Sequence, residues 1–248
     1  MDTGVKRALL AVLALGSLAG VFWVRPLPQP PEYHHFADQR TLFGIPHFMD
    51  VGSNIPFLVV GLAGFYNALA GKNLYYPAPG ARAPWRVLGL SIALTAVGSA
   101  SYHLAPSDAT LFWDRLPMAI GFSALLGIMV LERVDRTVGG FLWMPLLIAG
   151  VLSLQYWRSR DDLRFYLLLQ AWAVLLVPVI LGLFPAPCSG TRWLWLAVGL
   201  YALSKLFELL DAPIYRMTRV VGGHALKHLA AAAGSWYLFV HLKQRRPL

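Results

Sequence analysis

Long apolar runs separated by short polar connections make up most of the chain, and the runs have the length needed to cross a bilayer. The first covers residues 8–24. It follows a basic start at Lys6-Arg7 and ends in Phe22-Trp23-Val24-Arg25-Pro26, without the small-x-small pattern of a cleavage site, so it is predicted to remain as an uncleaved anchor helix. Further runs at roughly 51–70, 86–104, 110–131, 139–157, 164–184, 193–210 and 222–242 predict seven more spans. Pro and Gly punctuate the connections, as in Tyr76-Pro77-Ala78-Pro79-Gly80 and Pro185-Ala186-Pro187-Cys188-Ser189-Gly190. The expected fold is all-α, a polytopic membrane bundle, with an anchor helix and linker over residues 1–30 and a seven-span domain over 31–248.

Composition sharpens this reading. Of 248 residues, 57% are hydrophobic and only 13% charged, about half the charged fraction of an ordinary soluble domain. The net charge of +9 does not point to nucleic acid, because the basic residues are scattered through loops between apolar segments. Such a distribution fits lipid headgroups and orientation signals. Eight spans would put both termini on one side. Lys6 and Arg7 at one end and Lys243, Arg245 and Arg246 at the other favour the cytoplasm, against a dissenting basic loop at 158–164. The single cysteine, Cys188, excludes an intrachain disulfide and a thiolate metal cluster.

Ionisable groups inside membrane spans are expensive and mark function. His103 lies near the end of the third predicted span and Asp114 near the start of the fourth, while His224 and His228 open the eighth. The predicted topology brings all of them to the extracytoplasmic end. A spacing of four places Ser99 one turn beneath His103 and puts His224 and His228 on one face. Three imidazoles from two helices can form a catalytic zinc shell with its fourth position left for water, whose pKa the metal lowers to about 7. Asp114 could then take the proton of that water, and Ser99 could donate to an oxyanion. The same histidine spacing also serves other metals, haem or plain helix–helix hydrogen bonding. Ser99 taken alone reads as a small packing residue, and Asp114 alone as a partner for Arg115.

The combination of Ser99-x-x-x-His103, Asp114 in Trp113-Asp114-Arg115-Leu116-Pro117-Met118, and His224-x-x-x-His228 resembles the alkaline ceramidases. These belong to a membrane-hydrolase superfamily that includes the adiponectin-receptor-like proteins. The resemblance runs from about residue 47 to 228, over the last seven predicted spans. It implies a seven-helix hydrolase core preceded by an added anchor helix. It further implies His103, His224 and His228 as zinc ligands, Asp114 as the group serving the attacking water, and Ser99 as oxyanion donor. The implied reaction is hydrolysis of a long-chain N-acyl amide, entering from the bilayer, to a sphingoid base and a fatty acid.

The sequence departs from the family where animal enzymes carry an acidic calcium-binding cluster. Here Asp38, His47, Asp50 and Asn54 stand instead, so calcium is not expected to bind as it does there. His47, Asp50 and Asn54 are predicted to share a helix face at the pocket rim or to cap that helix. Lys205, Glu208 and Asp211 recur along one side of the seventh span, either as a network orienting the histidines or as a paired charge ladder. Lys227 points away from the histidine face and is expected to snorkel or to pair with Glu208. His34, His35 and His241 are not expected to be ligands. Two other functional classes fit the pattern: a lipid-sensing receptor of the same superfamily, and an electron carrier with haem held between two of the histidines.

Overall fold

Backbone amides in a bilayer must be satisfied within their own segment, and the apolar runs do so as helices. The computed structural model describes every residue except Lys72, one of the basic residues of the connecting loops, which lies outside the described residues. Helix α1 spans Thr3–Val21. A short hairpin of β1 (Thr41–Leu42) and β2 (Ile45–Pro46) leads into α2 (Phe48–Gly52) and α3 (Ile55–Ala70). There follow α4 (Arg82–Leu104), α5 (Asp108–Met129), α6 (Arg136–Arg160), α7 (Arg164–Ala171), α8 (Val177–Leu183), α9 (Thr191–Leu209), α10 (Asp211–Thr218) and α11 (Gly223–Gln244).

Local sequence accounts for the breaks. Ser107 and Thr110 form a capping box that starts α5, and Asp135 accepts from the amides of Thr137 and Val138 to start α6. Pro178 has no amide hydrogen, and the chain widens into a π turn at Trp172–Leu176 just before it, joining α7 to α8. Gly222 and Gly223 open α11.

Among the described residues six helical segments are long and apolar enough to cross a membrane: Thr3–Val21, Phe48–Ala70, Arg82–Leu104, Asp108–Val134, Arg136–Arg160 and Arg164–Leu183. A seventh counts only if α9 and α10 are taken together, across a 74° bend. The eighth predicted span does form the 22-residue helix α11, but it is not among the six. His224, Lys227, His228, His241 and Lys243 dilute its apolar character, so the residues that make the site also hide the span.

The long helices close into a ring. α4 packs between α3 and α5, α5 against α6, and α11 between α3 and α9; α7 and α8 bridge from α5 and α6 to α9. Helix α1 rests on α7 and α8, with Leu10 in the core and Trp172 Nε1 donating to Ser17 Oγ at 2.8 Å. At the end of the bundle where α4 begins and α11 finishes, the fully buried Arg245 pairs with Glu132 at 2.6 and 3.1 Å. Trp85 Nε1 also donates to Glu132, at 2.9 Å. The opposite end, where α4 finishes and α11 begins, holds the histidines.

Candidate metal centre

His103 sits in the last turn of α4, and His224 and His228 occupy the first two turns of α11. Gly223 lets α11 begin hard against α9: a Cβ there would lie 2.1 Å from the Phe207 carbonyl oxygen. The three imidazoles meet with ring centroids 4.8, 4.9 and 5.1 Å apart, and one nitrogen from each lies within 4.8 Å of the others. All three are buried, with exposures of 1%, 8% and 5%. Among the described residues this is the one grouping of three or more side chains able to hold a metal ion.

Neighbours fix the rings. Ser53 Oγ lies 2.8 Å from His228 Nδ1 and donates to the Asp50 carbonyl at 3.0 Å. Its only proton being spent there, the hydroxyl accepts from Nδ1–H and leaves the His228 Nε2 lone pair free. The His47 ring donates from Nδ1 to the His103 carbonyl at 2.8 Å. Asp211 accepts from the His224 amide at 2.8 Å and from the Ala37 amide at 3.1 Å. That second bond holds Phe36 over the site, its ring 4.5 Å from that of His103 and 4.9 Å from that of His224.

Among the described residues, the buried Nδ1 of His103 finds no hydrogen-bond partner, and neither does either carboxylate oxygen of Asp50 or Oδ1 of Asn54. Orphaned polar atoms cost free energy when buried. A ring nitrogen left bare beside two more imidazoles fits a metal ion. Asp38 and Asp211 are already engaged, Asp38 with Arg40 at 2.7 and 2.8 Å. Burial alone would raise the Asp38 carboxyl, but the Arg40 bonds outweigh it and hold Asp38 below the usual carboxylate range.

Ser99 and Asp114 line a polar cavity of about 210 Å³ together with His228. Close approach of α4 and α5 brings them there. Pro117 cannot bond the Trp113 carbonyl four residues earlier, and that oxygen is the atom a Cβ on Gly98 would meet at 2.2 Å. The polar cavity shares Phe57, Thr95, Met118 and Tyr201 with an apolar cavity of about 440 Å³ that runs on toward Met129 and Leu238.

Several expectations are refined by this geometry. Asp114 does not pair with Arg115, which donates instead to Gln29 Oε1 at 2.7 Å. Lys227 does pair with Glu208, at 2.8 Å, and Lys205 reaches the other oxygen of the same carboxylate, also at 2.8 Å. Asp211 does not continue the ladder of Lys205 and Glu208, because α9 ends before Leu210 and the chain turns through 74°. Nor do His47, Asp50 and Asn54 share a helix face. His47 caps α2 with a φ of 46°, in the left-handed region, and Asn54 caps α3 across a break. His34 bonds Tyr102 and Asp108, and His241 bonds the Gly190 carbonyl, both away from the triad. Ser53 and Phe36 were not singled out by the sequence pattern, and Arg115 only as a partner for Asp114, since each gains its role from a segment distant in the chain.

No protein-family model matches the chain, and comparison with curated proteins returns no match.

Proposed function

We propose that the chain is a membrane-embedded, zinc-dependent hydrolase that cleaves the N-acyl amide bond of ceramide-like lipids to a sphingoid base and a fatty acid. The observation that carries this reading is the meeting of three buried imidazoles, His103, His224 and His228, beside a cavity that also holds Ser99 and Asp114. Three nitrogen donors suit zinc, whereas calcium takes oxygen ligands. Zinc held by these histidines would supply a water acidic enough to attack an amide carbonyl near neutral pH. Asp114 takes a proton from the water and returns it to the leaving amine, while Ser99 donates to the carbonyl oxygen as charge builds there. The contiguous apolar cavity, at about 440 Å³ within the range of small-molecule sites, takes hydrocarbon chain entering sideways from the bilayer. Both termini lie in the cytoplasm and the triad in the extracytoplasmic half of the membrane. A haem is disfavoured, because three rings with centroids 4.8–5.1 Å apart leave no slot for a porphyrin between two of them.

The test is metal analysis of purified protein beside a hydrolysis screen across N-acyl amides and esters. About one zinc per chain is expected, lost for the most part in His224→Ala, with hydrolysis of an amide lipid that disappears with the metal. Full zinc retention in His224→Ala would overturn the site. Zinc binding without hydrolysis of any amide would overturn the reaction.

A further inference from the structure

Arg115 is a buried cation with no carboxylate. Only 6% of its surface is exposed. Its Nη1 donates to the neutral Gln29 side chain, and its guanidinium lies 4.8–5.3 Å from the ring centroids of Tyr33, Trp157 and Tyr166. The other buried arginine, Arg245, is paired with Glu132, and the half-buried Arg164 with Asp162. Among the described residues no acidic group lies within ion-pair distance of Arg115. A desolvated cation in such a place is costly unless an anion joins it.

Arg115 lines the same cavity as Ser99, Asp114 and His228. In the same lining Lys205 and Lys227 share the one carboxylate of Glu208. The lining thus carries the cations Arg115, Lys205 and Lys227 against the carboxylates Asp114 and Glu208, and among the described residues one positive charge has no counterpart. The planar guanidinium fork matches a carboxylate or phosphate, and one donor group of the five N–H bonds is all that Gln29 uses. Arg115 lines the cavity that also holds Ser99, Asp114 and His228, so an anion bound to it occupies the same space as the proposed reacting groups.

We propose that this cavity is a subsite for an oxyanion on the headgroup of the lipid, with Arg115 as the specificity-determining contact, so that N-acyl lipids with an anionic headgroup are preferred over neutral ones. The reaction assumed is the amide hydrolysis above, while the binding preference stands apart from it.

The probes are N-oleoylglycine and N-oleoylethanolamine, which share acyl chain and amide and differ in a carboxylate against a hydroxyl, with oleic acid as a third. Binding to the purified full chain in detergent micelles is measured by calorimetric titration, and hydrolysis on the same preparation. N-oleoylglycine should bind at least about tenfold more tightly than N-oleoylethanolamine, the size expected of a charge-assisted contact. Arg115→Gln should abolish that preference, so that N-oleoylglycine binds no more tightly than N-oleoylethanolamine. Because Arg115→Gln also empties an aromatic cage, Lys205→Gln tests the same field from a more exposed position in the lining and should reduce the preference in the same sense. Equal affinities in the wild-type protein would overturn the proposal, even if both lipids are hydrolysed. A preference that survives Arg115→Gln would overturn the role of Arg115. Selective, Arg115-dependent binding without hydrolysis of either amide would uphold the subsite and overturn the hydrolase reading. Oleic acid binding as tightly as N-oleoylglycine, with the same Arg115 dependence, would make the anion the acyl carboxylate and overturn the headgroup assignment.

Discussion

Asp114 and Arg115 are neighbours in sequence with opposite charges and line one cavity, yet their side chains do not pair with each other. Arg115 goes to Gln29 and three aromatic rings; Asp114 goes to the cavity with Ser99 and His228. The consequence is that Asp114→Asn should not cost an ion pair. If Asp114 is the general base, amide hydrolysis should fall by about 10²–10⁴-fold, while zinc content and melting temperature stay close to wild type. Measuring all three on one preparation decides the matter. Turnover within about twofold of wild type would remove Asp114 from the reaction, since that is only about 0.4 kcal/mol of barrier. The pairing of His224 with His228 was legible from their spacing because four residues is one helical turn. Ser53 was not, because its bond to His228 joins residues 175 positions apart.

Among the elements, the α4–α5 pair matters most for the site. Gly98 allows the Trp113 carbonyl to approach, and a Cβ would stand 2.2 Å from that oxygen and 3.0 Å from the Asp114 Cα. Neither atom can rotate away, so Gly98→Ala must push the helices apart. We expect a destabilisation of about 1–3 kcal/mol, typical of overpacking, read as a lower melting temperature. Hydrolysis should fall further than stability alone accounts for, because Asp114 moves with α5. Gly16→Ala on α1, where nothing lies within 4 Å, is the control and should leave both unchanged or slightly raise stability. Loss of neither stability nor activity in Gly98→Ala would mean that the helices are less closely packed than described. The apolar runs announce α4 and α5 as helices; their separation is set by a missing methyl and by Pro117.

Across the whole molecule, the histidine end and the Glu132–Arg245 end close the ring from opposite sides. Arg245 is fully buried, donates to Glu132 twice and to the Tyr75 carbonyl, and ties the C-terminal residues to the π turn after α5. Glu132→Gln leaves that cation buried without its counter-charge and should cost about 3–5 kcal/mol, checked by thermal unfolding in detergent. An unchanged melting temperature would show that the pair is dispensable. The same molecule-wide view makes a prediction about orientation. Reporter fusions at residue 248 and in the 105–109 loop should report opposite compartments, with the C-terminus cytoplasmic. Both in one compartment would mean that an odd span has been miscounted, and α9 with its bend is the first place to look.

Hydrophobic runs and helical spacing are properties of a short stretch of chain, and this is why the helices and the pairing of His224 with His228 could be read without a structure. Each helix carries its own apolar face, and its backbone hydrogen bonds close within the segment whatever lies beside it. Partners are a different matter. That His103 meets the other two rings, that Asp211 leaves α9 to hold the His224 amide, and that Arg115 turns to Gln29 all follow from how the ring of helices closes. Those choices are made by desolvation and close packing between segments far apart in the chain, terms that no local pattern contains.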